Sequence, residues 1–380
     1  MILFLLFTFL NPVLSTTGIS LYDKLFDNYT ITSRPVENYD NSVHLEFGIE
    51  IYSLNYFNQK AETIELNVLI TETWKDEYLT WNMGEYNRQF LEIGSNKIWK
   101  PDIELYNSGK KPFLFSGDDS TVKINNRGQV LWSKFITYSF SCSLNLEDFP
   151  FDTQECTLLF GSWKHSNSTL NIKPFSEDSI FKSVSIYDKF SHNEWDMVGM
   201  DVKHTDVVYL CCPNEFYPNT EFTIKLKRKS MKYIIVMVFT AFITASGLCV
   251  SFMNITNYKR SFVLVFIPLS IIWLQIYISD KIPVIEHSTM IERFLLTCFI
   301  TTMCLSLESI GLYCLFTEQY LPYRFTDIKY DNLINNEKIE CIIKNDKIIK
   351  YDELLNKLDT IFRATNLISI IIILLVVVYN

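Results

Sequence analysis

The sequence predicts an extracellular antiparallel β-sandwich with a short N-terminal helix, followed by a four-helix transmembrane bundle. Three observations lead there. Residues 16–230 contain runs that alternate apolar and polar side chains with a period of two, separated by turn residues, the pattern of strands buried on one face. Beyond residue 233 come four apolar runs, the last of them short and able to span a membrane only if the preceding Thr360–Asn366 segment contributes. An apolar leader opens the chain, so the sandwich is read as exported.

The leader is ILFLLFTFL, followed by small residues near Val13 and Ser15. It reads as a signal peptide over 1–15 that lacks a basic flank, with cleavage after Ser15; a short membrane anchor is the alternative. LYDKLFDNY (21–29) has the spacing of an amphipathic helix. In VHLEFGIEI, Val43, Leu45, Phe47, Ile49 and Ile51 share one strand face; in ETIELNVLITET, Ile64, Leu66, Val68 and Ile70 share another. Asn28-Tyr-Thr and Asn167-Ser-Thr are glycosylation sequons, which require an exported domain.

The apolar runs are Ile234–Phe252, Phe262–Ser279, Phe294–Phe316 and Leu367–Tyr379. The first three place transmembrane helices within 231–316. A mixed-charge cytoplasmic linker follows over 317–362, with an amphipathic helix at YDELLNKLDTIF (351–362), and 363–380 holds the last span. Four spans after an exported domain put both termini of the mature chain outside, in a multi-pass plasma-membrane topology. Lys259 and Arg260 then lie inside, as basic residues prefer. The basic Lys225–Lys229 run falls outside against that preference, which an exported domain ahead of it can override. Glu308 interrupts the third run; an ionisable group within a span is a functional candidate, and near the inner end of its helix the preferred reading is that it snorkels to the interface.

Composition narrows the function classes. The 380 residues carry a net charge of -9, which argues against nucleic-acid binding, and 48% of them are hydrophobic, which suits a membrane protein. The five histidines are scattered without metal-ligand spacing, and no nucleophile elbow, phosphate loop or dinucleotide fingerprint occurs. No enzyme activity, cofactor or metal is expected. Of nine cysteines, Cys142, Cys156, Cys211 and Cys212 lie in the exported half, where thiols oxidise. Cys249, Cys298, Cys304, Cys314 and Cys341 are read as free thiols. Adjacent cysteines are unusual. Neighbouring Cα atoms sit about 3.8 Å apart, below the usual disulfide span of about 4.4–6.8 Å, so a Cys211–Cys212 bond would close a small strained ring.

CSLNLEDFPFDTQEC (142–156) resembles the signature loop of the Cys-loop, or pentameric ligand-gated ion channel, family. The leader, β-domain, apolar runs and long gap before the last run follow that family's order. Phe149-Pro150-Phe151-Asp152 is similar to the nicotinic branch. WKPDIELYN (99–107), FGSW (160–163) and the stretch with Tyr209, Cys211-Cys212 and Tyr217 resemble the three agonist-binding loops of nicotinic α-type subunits. The resemblance implies one subunit of a pentamer, a Cys142–Cys156 disulfide and a Cys211–Cys212 disulfide. It implies an aromatic box of Tyr106, Trp163, Tyr209 and Tyr217 for acetylcholine or a related quaternary ammonium. It also gives the Phe149–Asp152 stretch a part in gating.

Departures from the family pattern shape the expectation. The neighbouring-face tryptophan is replaced by Leu69, and Lys123 adds a positive charge there. The chain is therefore expected to supply the loop-bearing principal face of the site, with other Cys-loop subunits completing a heteropentamer. Leu159 and Asn219 stand where a lysine and an aspartate often form a latch. In the pore segment the inner glutamate is replaced by Lys259, Phe262 and Phe266 occupy positions usually held by Ser or Thr, and Leu269 keeps the apolar gate. Pro268 falls within that helix, and Thr240 replaces the first span's usual proline. A nonconducting or modulatory subunit and an anion-selective channel subunit are the competing readings. A secreted ligand-binding decoy is disfavoured by the apolar runs.

Overall fold

The computed structural model describes residues 17–114, 120–283, 287–326, 353–368 and 371. The leader, Cys341 and nearly all of the fourth apolar run lie outside the described residues. The chain divides into two compact units: one comprises the residues through Leu144 together with Thr153–Lys227, the other Asn145–Asp152 and the residues from Arg228 onward.

In the first unit, α1 (Thr17–Phe26) buries Leu21 and Leu25, one turn apart, so its apolar stripe seats on the sandwich. The helix begins before the expected Leu21 and ends at Phe26, where Asp27 N–H closes on the Asp23 carbonyl and the Asn28 turn follows. The long strands are β1 (Val43–Asn58) and β2 (Thr63–Thr80). After the single-turn α2 (Met83–Tyr86) come β3 (Phe90–Gly94), β4 (Ile103–Leu105), β5 (Phe113–Leu114), β6 (Thr121–Asn125) and β7 (Arg127–Ser141). The rest are β8 (Thr153–Ser162), β9 (Leu170–Pro174), β10 (Val184–Ile186), β11 (Trp195–Val207) and β12 (Tyr217–Arg228).

One sheet runs β10-β1-β2-β7-β6-β3, with β9 added to β1 and β5 to β7; the other runs β11-β12-β8-β4. The nine apolar positions singled out on the β1 and β2 faces are each at most 2% exposed, so the alternation marks the core face. Edge-to-face rings bridge the sheets: Phe47 of β1 lies 5.7 Å from Phe160 of β8 and 5.3 Å from Phe222 of β12. The expected all-antiparallel sandwich needs one correction. β9 and β10 both run parallel to β1, because the chain returns to that edge by crossovers rather than hairpins.

Asp76, at the end of the buried run of β2, is fully buried. It accepts hydrogen bonds from the Tyr29 hydroxyl at 2.6 Å and the Tyr78 backbone N–H at 3.0 Å. Burial pushes its carboxyl up to about 6, and the Glu77 carboxylate adds to the rise, against the lowering effect of the hydrogen bonds from Tyr29, Tyr78 and Leu79. A carboxyl raised on folding stabilises the fold at low pH and loses that contribution as pH rises through about 6. From pH 7.5 to 5 it should add about 1 kcal/mol, or a few degrees in unfolding midpoint. Melting curves of the detergent-solubilised chain should show this slope, and Asp76→Asn should flatten it.

In the second unit, α3 (Met231–Ser251), α4 (Tyr258–Ser279) and α5 (Met290–Thr326) pack on one another. All three are long and apolar enough to cross a membrane. Residues 353–368 are also helical, overlapping the expected amphipathic helix. Gly247 lets α3 approach α4: a Cβ there would meet Ile267 at 3.1 Å. Ser261 of α4 hydrogen-bonds Ser309 of α5 at 2.9 Å. The assigned helix α4 continues through Pro268.

Glu308 is nearly buried and held by neighbouring side chains. Its carboxylate lies 3.4 Å from Arg260 and accepts a bond from the Asn366 amide at 3.2 Å. Arg260, only 1% exposed, also binds Asp359 at 2.7 Å, and Asp359 is paired with Arg363. A buried guanidinium needs such partners. Ile255, Leu312 and Leu355 form an apolar cluster within the same unit. Cys249, Cys298, Cys304 and Cys314 are free thiols.

Candidate functional site: an aromatic cluster on the β-domain

The site is built on the sheet containing β4, β8 and β12. β8 carries FGSW toward its end, and its register sets Glu104 of β4 on one side of Gly161 and Asn219 of β12 on the other. Tyr106 follows β4 directly; its backbone N–H donates to the Leu159 carbonyl at 2.8 Å, and its hydroxyl to the Ser162 carbonyl at 2.8 Å. Its ring therefore lies over Gly161. A Cβ on that glycine would stand 2.6 Å from the Tyr106 hydroxyl oxygen and 2.7 Å from the Asn219 side-chain oxygen. The absent side chain makes room for the tyrosine.

Trp163, one residue past the end of β8, is 76% exposed, and its ring meets that of Tyr106 edge-to-face at 6.2 Å. The turn that holds it is pinned by Asp102, which accepts from the Ser162 hydroxyl at 2.7 Å and the Lys164 backbone N–H at 3.1 Å. Tyr209 and Tyr217 form a second edge-to-face pair at 5.3 Å, on the two arms of the turn joining β11 to β12. Burial pushes the Tyr106 hydroxyl up to about 12, with the neighbouring Tyr209 and the Asp102 and Glu104 carboxylates adding to the rise. The two ring pairs are thus neighbours, with carboxylates beside them. The Tyr217 hydroxyl donates to Glu215 at 2.8 Å, and this bond raises its proton affinity.

Cys211 and Cys212 are at the tip of that turn. The structure carries them as free thiols with sulfurs 2.8 Å apart, rather than in the bond expected from the resemblance. The Cys212 N–H bonds the Tyr209 carbonyl at 3.0 Å, so the tip is already folded. Asn219 is buried, and its side-chain oxygen has no hydrogen-bond partner among the described residues. Neither Gly161 nor Asp102 had a role assigned from sequence, though both stand inside the quoted loops. Their roles come from pairing between remote segments: Gly161 lies under Tyr106, 55 residues before it, and Asp102 binds Ser162, 60 residues after it.

The other expected positions lie elsewhere. Cys142 and Cys156 are joined by a disulfide. Within the loop they close, Phe149 is fully buried, 4.8 Å from the Tyr233 ring and 4.7 Å from the Arg228 guanidinium. The Pro150 carbonyl accepts from the Ser230 hydroxyl, and Phe151 is exposed. Asp152 grips Arg228 through two bonds, at 2.7 and 2.9 Å, both side chains 2% exposed. The carbonyls of Glu147 and Phe149 accept from the backbone N–H groups of Met290 and Ile291, which open α5. A helix start has unpaired donors; here the loop supplies the acceptors. On α4, Lys259, Phe262, Phe266 and Leu269 are all exposed, and the Phe262 and Phe266 rings lie 5.0 Å apart. Leu69 pairs with Glu50 and Phe135 in the first sheet, and the Lys123 ammonium lies 4.4 Å from the Phe90 ring centre. Asn28 is exposed and Asn167 half-buried.

Residues 19–230 match the neurotransmitter-gated ion-channel ligand binding domain. The chain belongs to this family, the Cys-loop receptors. It is a family of ligand-gated channels rather than of enzymes. This Cys-loop chain is 30% identical to the bovine (Bos taurus) neuronal acetylcholine receptor subunit alpha-3 over 237 residues, 62% of the chain and 46% of that protein. It is 27% identical to the alpha-9 subunit of Rattus norvegicus over 300 residues, 77% of the chain and 59% of that protein. It is 31% identical to the acetylcholine receptor subunit alpha-type des-2 of Caenorhabditis elegans over 233 residues, 58% of the chain and 40% of that protein. The Cys-loop chain thus spans about half the length of these relatives. Its β-domain is nicotinic-receptor-like, and it is joined to a multi-span membrane region.

Proposed function

We propose that the chain is a subunit of a neurotransmitter-gated ion channel that binds acetylcholine or a related quaternary ammonium. It contributes the principal face of the site in a heteropentamer with other Cys-loop subunits. The observation that carries this is the pair of ring pairs, Tyr106–Trp163 and Tyr209–Tyr217, beside Asp102, Glu104 and Glu215. A cation over an aromatic face gains about 0.5–2 kcal/mol, more when desolvated, and carboxylates add attraction. In the oxidising exterior the adjacent Cys211 and Cys212 thiols close into a disulfide that stiffens the turn over the ligand. On this chain's other face Leu69 presents no ring where the family has a tryptophan and Lys123 adds a positive charge, so another subunit provides the complementary surface. The chain resides in the plasma membrane, at synapses, with its signal peptide removed, both termini outside, and Asn28 and Asn167 glycosylated.

The test is co-expression with nicotinic subunits and radiolabelled agonist binding. Trp163→Ala should weaken binding at least about ten-fold, since about 1.4 kcal/mol is a factor of ten. Unchanged affinity, or tight binding by this chain expressed alone, would count against the reading. A second reading follows from α4. Its exposed Lys259, Phe262, Phe266 and Leu269 would line five-fold a basic, apolar constriction, which resists cations. A nonconducting or modulatory subunit fits that face, as does anion selectivity. Reversal potentials under sodium and chloride substitution separate the two.

A further inference from the structure

Beside α1 lies a cavity of about 380 Å³ whose wall includes none of the four box aromatics. Its walls include Asn28, Tyr29, Tyr39, Tyr78, Lys24 and Ser33. That volume suits a small ligand, and its rings are held in place. The Tyr29 hydroxyl donates to Asp76 at 2.6 Å and accepts from the Trp99 N–H at 3.0 Å. The Tyr78 hydroxyl donates to the Val36 carbonyl at 2.7 Å. The Arg34 guanidinium lies 5.6 Å from the Tyr39 ring centre. Tyr39 and Tyr78 nevertheless leave 59% and 45% of their surface exposed, open to a ligand in the cleft.

The occupant is indicated by the wall itself. Asn28 is exposed at the cavity and begins the sequon Asn28-Tyr29-Thr30, so three consecutive wall residues make up the modification signal. We infer that the cleft is the berth of an N-linked glycan on Asn28. The first N-acetylglucosamine lays the C–H face of its ring against Tyr39 and Tyr78, with its polar edge toward Lys24 and Ser33. Attachment joins the Asn28 amide nitrogen to C1 of a lipid-linked oligosaccharide. The C1–oxygen bond to the pyrophosphate breaks, the lipid pyrophosphate leaves, and the amide gives up one proton. A sugar tethered on one side of the cleft and stacked on the other braces α1 and the turn after it. The inference rests on the extracellular reading of the β-domain and does not depend on the agonist.

The full chain, expressed in eukaryotic cells and purified from their membranes in detergent, provides the test. Peptide mass mapping should find sugar on Asn28. Thr30→Ala, which removes the sequon but keeps Asn28, should lower the unfolding midpoint by about 2–4 °C, as a loss of about 1 kcal/mol does in a domain of this size. Tyr39→Ala should lower the midpoint in the glycosylated chain and have little further effect in Thr30→Ala. Trimming the glycan to its first sugar should leave the midpoint unchanged. Additive effects of Thr30→Ala and Tyr39→Ala overturn the berth. So does an unmodified Asn28 in a chain glycosylated at Asn167. Neither asparagine modified overturns the extracellular reading as well.

Discussion

Asp152→Ala should destabilise the helical unit by about 3–5 kcal/mol, because it strands the buried Arg228 guanidinium without its bidentate partner. The two bonds are short and both side chains are nearly inaccessible, so water cannot take over. Arg228 also lies against the Phe149 ring, itself fully buried, so a displaced guanidinium would disturb the apolar contact to Tyr233. The measurement is the surface-exposed fraction of the chain and its unfolding midpoint in detergent. Both should fall sharply for Asp152→Ala and for Arg228→Ala alone. A double replacement by apolar residues of similar volume should recover much of the loss, since an intact buried pair contributes little beyond its absence. A single variant that matches the parent in both measurements would show the pair to be dispensable.

Asp359→Ala should be comparably damaging, at roughly 3–5 kcal/mol. Arg260 would keep the Met253 carbonyl at 3.3 Å and the longer approach to Glu308 at 3.4 Å but lose the 2.7 Å bond to Asp359, and Arg363 would lose its carboxylate too. Asp359→Asn keeps an acceptor for Arg260 and should cost clearly less. Glu308→Gln removes the more distant partner and should be the mildest of the three. That ranking, read from unfolding midpoints in detergent, checks the network. An inverted order would mean that Glu308 rather than Asp359 holds Arg260.

Much of this architecture was legible because it follows local rules. The alternation in β1 and β2 marked the buried face residue by residue, since period two leaves no other assignment for Val43 to Ile51 or Ile64 to Ile70. The three long apolar helices were equally plain, because a bilayer demands an uninterrupted run. The aromatic positions were found through loop motifs. What escaped depends on register between segments remote in sequence. Gly161 matters only because β8 pairs with β4 and lies under Tyr106; Asp102 matters only because the turn after Ser162 folds back onto it. The partners of Glu308, 48 and 58 residues away, could not be read from its own helix. The parallel placement of β9 and β10 was likewise invisible, since short strands carry no mark of direction.

The disulfide-closed loop has a practical consequence for protein engineering. The family match runs unbroken over residues 19–230, yet Asn145–Asp152 belongs with the helices. Cutting the chain at residue 230 to obtain a water-soluble fragment would remove Tyr233, Met290 and Ile291, on which Phe149 and the loop carbonyls depend. Such a fragment would present a bare phenylalanine and unsatisfied acceptors to solvent, and would aggregate unless that octapeptide were rewritten with hydrophilic side chains.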